Sequence, residues 1–172
     1  MIVSVGGGAV GDHLLNTAIA ARPLSGARDR PWRLLVGHNL PARERERVSA
    51  ASGDGVIVEP ARPDFPGLLA RARLSVSQAG YNTSTDILSA RVPAVLVPFA
   101  DDGEIEQTMR AKLFEARGLA IALSPEHLGP QSLADAVDRA LELDPDAAAR
   151  PGLDGAAQSA RLIADAIARI EA

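Results

Sequence analysis

Short apolar runs alternate with longer amphipathic stretches along almost the whole chain of 172 residues. The runs predict strands at 2–5, 33–36, 55–59, 74–77, 94–97 and 119–122. The stretches predict helices at 12–21, 41–51, 65–71, 82–90, 104–116, 132–143 and 155–170. This alternation is typical of βαβ units with a buried parallel sheet. We therefore expect one doubly wound, Rossmann-like α/β domain over 1–172, with about six parallel strands flanked by helices.

Composition excludes several classes of function. The chain has no cysteine, which excludes disulfides, Cys-ligated zinc and iron–sulfur clusters. With 18 basic and 22 acidic residues it carries a net charge of −4, so we expect no nucleic acid partner. No apolar run is long enough to predict a membrane span. The first residues predict a strand rather than a signal peptide, which leads us to expect a cytoplasmic protein.

Ligands of open α/β sheets bind outside the carboxyl ends of the strands, so the loops that follow the strands carry the candidate site. The first loop is glycine-rich, Gly6-Gly7-Gly8 with Gly11, and would let a phosphate or sugar approach backbone N–H groups. It is not a strict dinucleotide fingerprint, because His38, not an acid, follows the second strand. A simple tight turn remains the alternative interpretation.

The second loop follows the fourth predicted strand and leads into a helix through Gly80. The unpaired N–H groups of a helix N-terminus suit a phosphate, and Asp86 could accept hydrogen bonds from sugar hydroxyls. The structural alternative makes Asn82 or Thr83 an ordinary N-cap and Asp86 an acid that compensates the helix dipole in the first turn.

The third loop, 98–107, is acidic and leads into a helix whose first turn carries Glu106 and Gln107. These groups could hold sugar hydroxyls, or they could simply be favourable first-turn residues. A metal site built from Asp101, Asp102 and Glu104 is the less favoured hypothesis. We therefore expect neither a metal nor another cofactor.

Three motifs occur in the order found in one enzyme family. They are Val3-Ser4-Val5-Gly6-Gly7-Gly8, then Ser77-Gln78-Ala79-Gly80 through Asp86 to Phe99, then Glu106-Gln107 with Arg110-Ala111 through Gly118. Because it carries these motifs in this order, the chain resembles the C-terminal, nucleotide-sugar-binding half of GT-B fold glycosyltransferases. The resemblance extends from Val3 to about Ala168. It is most similar to glycosyltransferase family 28, which includes the bacterial enzyme that adds N-acetylglucosamine to lipid I.

The resemblance implies roles for the loop residues. Asp86 would bind the ribose, at a position where the family usually has Glu. Binding of the donor diphosphate would fall to backbone groups in two loops, those of Gly7, Gly8, Gly80, Asn82 and Thr83.

The resemblance also implies a donor-sugar site and a base site. Glu106 and Gln107 would hold the donor sugar, where N-acetylglucosamine enzymes commonly have two glutamines. Arg62 would lie in a base-contact loop, since the segment 61–65 matches the place where the family reads uracil, and His38 would lie in a second such loop.

Family membership implies a function that this chain would share with a second domain. The chain would bind a UDP-sugar for transfer of a hexosyl or N-acetylhexosaminyl group, and we expect it to be inactive alone. A missing N-terminal acceptor domain, or a separate acceptor-binding chain, would supply the acceptor and the catalytic base. An excised half of a longer enzyme is favoured over a natural subunit. The alternatives are half of an enzyme like UDP-N-acetylhexosamine 2-epimerase, or a non-catalytic α/β regulatory module.

Overall fold

A computed structural model of the chain describes residues 1–6, 11–53, 55–99, 105–144, 146–148 and 150–170. The strands are β1 (Ile2–Ser4), β2 (Trp32–Val36), β3 (Val56–Pro60), β4 (Ser75–Ser77), β5 (Ala94–Leu96) and β6 (Ala120–Ala122). The α-helices are α1 (Asp12–Ala21), α2 (Ala42–Ala50), α3 (Phe65–Leu69), α4 (Tyr81–Ala90), α5 (Glu106–Ala116), α6 (Pro130–Leu141) and α7 (Gly155–Ile170). Short 3₁₀ turns lie at Arg22–Leu24 and Pro125–His127.

The strands form one parallel sheet in the order β3-β2-β1-β4-β5-β6. Val3 in β1 is paired with Leu34 on one side and with Val76 on the other. The strand order therefore reverses between β1 and β4, which is where doubly wound sheets bind their ligands. This topology confirms the predicted fold class.

Alternate residues of each strand enter two different cores, as the two-residue period of a strand requires. On one face Val3, Leu34 and Val76 are fully buried with Leu133 of α6. On the other face Ile2, Leu35 and Leu96 pack with residues of α3, α4 and α5. Helices thus cover both sides of the sheet, and its carboxyl edge is left for the loops.

Some helices begin elsewhere than the sequence indicates. The cap of α4 is Gly80, so the alternative that Asn82 or Thr83 is the N-cap is wrong. Asp86 accordingly lies in the second turn, and the first-turn role considered for it is wrong too. In α2 the cap residue is Pro41, whose extended backbone places it before the first turn.

The bounds of α5 and α6 differ from prediction by about half a turn. Glu106 begins α5, two residues later than predicted. Pro130 begins α6, two residues early, because proline suits a first turn whose N–H groups have no helical partner. None of the helices in the described part of the chain is long and apolar enough to cross a membrane.

Candidate functional site

The carboxyl ends of β1 and β4 lie side by side where the strand order reverses. The loop after β1 turns into α1 through Gly11, whose φ of 134° is a conformation that side chains rarely adopt. A Cβ at Gly11 would also overlap the Val5 side chain. Glycine is therefore required at this turn. Gly7 and Gly8, predicted to bind phosphate in the same loop, lie outside the described residues.

The N-terminus of α4 is open to a ligand. Its cap, Gly80, is extended, and no side chain in the described part of the chain caps the helix. The first helical hydrogen bond runs from the Ser84 N–H to the Gly80 carbonyl at 2.9 Å. The preceding N–H groups, those of Tyr81, Asn82 and Thr83, thus lack helical partners. Their donors, with the positive end of the helix dipole, make an anion site physically favourable.

A cavity of about 130 Å³ opens beside this helix start. Its lining comes from the end of β1 and the two residues that follow it, from β2, from the segment after β3, from the first residue of α3 and from α4: Ser4, Val5, Gly6, Leu35, Ala61, Arg62, Phe65 and Thr83. The fold therefore brings two predicted site residues, Arg62 and Thr83, to one cavity although they are far apart in sequence.

Arg62 reaches this cavity with its guanidinium already paired. Its Nε and Nη2 donate to the two carboxylate oxygens of Asp64, each at 2.8 Å. Glu59 lies 3.7 Å from Nη1. The hydrogen bond to Asp64 raises the pKa of Arg62, and the same bond lowers the pKa of Asp64. Arg62 thus presents an oriented, partly neutralised side chain at the cavity.

Asp86 lies one turn after Thr83 on the same face of α4, since residues three apart are neighbours on a helix. Its carboxyl group is half-buried, and burial raises its pKa. No hydrogen bond or ion pair engages it within the described residues. A half-buried carboxylate that has no partner among the described residues, one turn from the cavity, can accept hydrogen bonds from a ligand.

The start of α5 forms the neighbouring part of this edge, because Arg110 of α5 donates to the carbonyl of Ala79, just before α4. Glu106 and Gln107 are the first two helical residues, so both lie in the first turn of α5, as predicted. The Gln107 Oε1 accepts a hydrogen bond from the Phe99 N–H at 3.1 Å, which leaves its amide nitrogen to donate. Arg110, to which the sequence interpretation assigned no role, could have been found from its spacing four residues after Glu106.

A second cavity, of about 270 Å³, lies at the same edge. It joins the start of α1 to the ends of β4 and β5 and to the turn after β6, and Gln78 and His13 are among its lining residues. His38 is exposed after β2, where its carbonyl accepts from Arg45, and it lines neither cavity. The predicted base-contact role of His38 stays a prediction.

The metal hypothesis concerns residues that the structure does not describe. Asp101, Asp102 and Glu104 all lie outside the described ranges. Among the residues that are described, no group of three or more His, Asp or Glu side chains could hold a metal ion.

The profile of the family described as "Glycosyltransferase family 28 C-terminal domain" matches residues 2–167. Two curated relatives are both named UDP-N-acetylglucosamine--N-acetylmuramyl-(pentapeptide) pyrophosphoryl-undecaprenol N-acetylglucosamine transferase. The one from Anaeromyxobacter sp. (strain Fw109-5) is 31% identical over 95% of this chain and 44% of its own length. The one from Exiguobacterium sp. (strain ATCC BAA-1283 / AT1b) is 29% identical over 82% of this chain and 39% of its own. The chain thus spans about two fifths of these relatives.

Solved structures show the same fold. MurG of Acinetobacter baumannii superimposes with a TM-score of 0.62 and 22% identity, over 85% of this chain and 42% of its own. The spinosyn rhamnosyltransferase SpnG gives a TM-score of 0.66 at 18% identity, over 85% of this chain and 38% of its own. The sheet and its helices are therefore one half of a GT-B fold.

Proposed function

The chain belongs to the glycosyltransferase family 28 C-terminal domains, and from this premise we propose that it is the donor-binding half of a glycosyltransferase. The substrate would be a UDP-sugar, from which a hexosyl or N-acetylhexosaminyl group passes to an acceptor. One observation carries the proposal: the uncapped start of α4 adjoins a cavity at the point where the strand order reverses. The names of the curated relatives support the choice of UDP.

In this proposal the nucleotide lies along the first two turns of α4. The N–H groups of Asn82 and Thr83 would donate to the diphosphate, and backbone groups of Gly7 and Gly8 would contribute further donors. The cavity beside Arg62 would take the base, and Asp86 would accept from the ribose hydroxyls. The cavity lining and the unpartnered Asp86 carboxylate support this placement.

In the proposed reaction, the donor-binding half would stabilise the leaving group. When the sugar–phosphate bond breaks, negative charge grows on the diphosphate of UDP. Oriented N–H groups and the dipole of α4 would stabilise that charge without moving, which is how preorganised donors lower a barrier. The first turn of α5, with Glu106 and Gln107, would hold the sugar. That the reaction needs no metal stays a prediction.

The acceptor and its catalytic base would come from the rest of a longer enzyme or from a separate chain. The share of the curated relatives that this chain spans supports that division, since more than half of their length has no counterpart here. The cytoplasmic location expected from the sequence stays a prediction.

Calorimetric titration of the chain of 172 residues with UDP, ADP, GDP and TDP tests the proposal. We expect UDP to bind best, and Asp86→Asn to weaken it about tenfold, because a hydrogen bond to a charged group contributes about 1.5–3 kcal/mol. Asp165→Asn, on the exposed face of α7, is the matched control and should leave UDP binding unchanged.

Three results would contradict the proposal. Preference for another nucleotide would keep the fold and reject the UDP donor. Absence of binding to all four would favour a non-catalytic module. Sugar transfer from UDP-glucose or UDP-N-acetylglucosamine by this chain alone would reject the division of labour with a second domain.

A further inference from the structure

Arg110 connects the starts of two helices at the site. Its side chain is 15% exposed, although it belongs to the surface helix α5. Nη1 donates to the carbonyl of Ala79, just before α4, at 2.5 Å. Nη2 donates to Oε1 of Glu106, one turn earlier in α5. The guanidinium also lies 5.8 Å from the centre of the Tyr81 ring, at the first helical position of α4.

These contacts use the geometry of a guanidinium. Arginine presents several N–H donors in one rigid plane, so it can bind a carbonyl and a carboxylate in different directions at the same time. The Ala79 carbonyl belongs to the segment between β4 and α4, and Glu106 belongs to the first turn of α5. Arg110 therefore contacts both helix starts and lies between them.

Glu106 depends on this contact for its orientation. Its side chain is 70% exposed, and an exposed Glu free of such a contact would sample many rotamers. Pairing of Oε1 with Arg110 restricts the carboxylate and leaves Oε2 to accept a further hydrogen bond. A carboxylate restricted before binding loses less conformational entropy when a ligand hydroxyl reaches it.

We propose that Arg110 is a positioning residue for the donor sugar: it holds the Glu106 carboxylate beside the start of α4, where Oε2 accepts a hydrogen bond from a sugar hydroxyl. The inference rests on the proposed donor site and adds a residue to it. Arg110 acts through Glu106 and makes no contact with the nucleotide, so its effect is confined to ligands that carry the sugar.

The test compares UDP with two UDP-sugars on the same protein. Calorimetry of the chain with UDP, UDP-glucose and UDP-N-acetylglucosamine is repeated for Arg110→Lys, which keeps the charge and loses the planar fork. We expect the affinity for the better-bound UDP-sugar to fall about fivefold, the effect of one hydrogen bond, while the affinity for UDP changes less than twofold. Arg117→Lys, at the exposed C-terminal end of α5, is the matched control and should change neither.

A double-mutant cycle tests whether Arg110 acts through Glu106. In a Glu106→Ala background, Arg110→Lys should have no further effect on UDP-sugar binding, because the oriented carboxylate is gone. Additive effects of the two changes would overturn the inference. Thermal unfolding of each variant is measured in parallel, and a variant that no longer unfolds cooperatively is replaced by Arg110→Gln.

The remaining outcomes separate this inference from the proposed function. Equal losses for UDP and UDP-sugars in Arg110→Lys would overturn the positioning role but leave the proposed function standing, because the wild-type chain would still bind UDP. No loss for any ligand would overturn it as well. A wild-type chain that binds none of the three ligands would overturn the proposed function, and this inference with it.

Discussion

The last two helices, α6 and α7, have comparable amphipathic sequences and opposite environments. In α6 the apolar positions recur at helical spacing, and Leu133, Ala134, Ala136, Val137 and Ala140 are all buried. In α7 the same spacing recurs in Leu162, Ile163, Ile167 and Ile170, yet none of the described residues 155–170 is buried. Hydrophobic periodicity thus predicts that a segment is helical, but it does not predict that the apolar face is covered.

The difference arises from what each helix meets. α6 packs against α1, β5 and β6, whose side chains complete the core around Leu133 and Val137. A polar contact adds to the packing: Asp138 accepts hydrogen bonds from the Ser25 hydroxyl at 2.6 Å and from the Gly26 N–H at 3.0 Å. Both apolar and polar groups on α6 therefore have partners far away in sequence.

The connector between the two helices is held against α4. Asp146 pairs with Arg91 at 3.2 Å, and Arg150 donates to the Leu88 carbonyl at 2.9 Å. Beyond residue 150 the described chain is exposed through to Ile170. The buried part of the described chain therefore ends before α7 begins at Gly155.

The largest expected difference between the helices is in the cost of truncating a leucine. Leu133→Ala should lower the free energy of unfolding by about 2–5 kcal/mol, because it leaves a cavity in the core. Leu162→Ala, its match on α7, removes a side chain that is 69% exposed and should cost less than about 0.5 kcal/mol. Urea unfolding of both variants measures the two values, and similar costs would contradict the comparison.

A smaller effect is expected for the polar contact of α6. Asp138→Asn should lower the free energy of unfolding by about 1–3 kcal/mol, because the Ser25 and Gly26 donors lose a charged acceptor. Asp135→Asn is the control on the same helix, where the carboxylate is exposed and accepts a hydrogen bond from Gln131. If the two substitutions had equal effects in urea unfolding, Asp138 would not hold α6 in place.

The smallest effect is expected on the apolar face of α7. Ile163→Gln should change the free energy of unfolding by less than about 0.5 kcal/mol, because glutamine suits a helix and the site is exposed. Unfolding is measured at two protein concentrations at least tenfold apart. A loss above about 1 kcal/mol, or a transition that moves with concentration in the wild type only, would show that this face is covered in solution.

At the candidate site, some features were predictable from the local sequence and others were visible only in the tertiary structure. The sequence predicted that residues after β1, β4 and β5 would carry the site, because parallel strands place their carboxyl ends on one edge. It could not predict that Gly80 caps α4, since by residue type Asn82 is a better cap than glycine and Thr83 is as good a cap. Nor could it indicate the contact of Arg110 with Ala79, which crosses 31 residues of sequence.

By itself the sequence determined the number and order of strands and helices, the doubly wound class and the family. Those features follow from short-range periodicity, which backbone geometry imposes on each segment separately, and from motifs that occur in a fixed order. Only the tertiary structure decided which loops share a cavity, as Arg62 and Thr83 do, and which amphipathic face is covered, as in α6 but not in α7. The shared cavity and the covered helix face both depend on distances between segments that are remote along the chain. A local sequence pattern does not predict such distances.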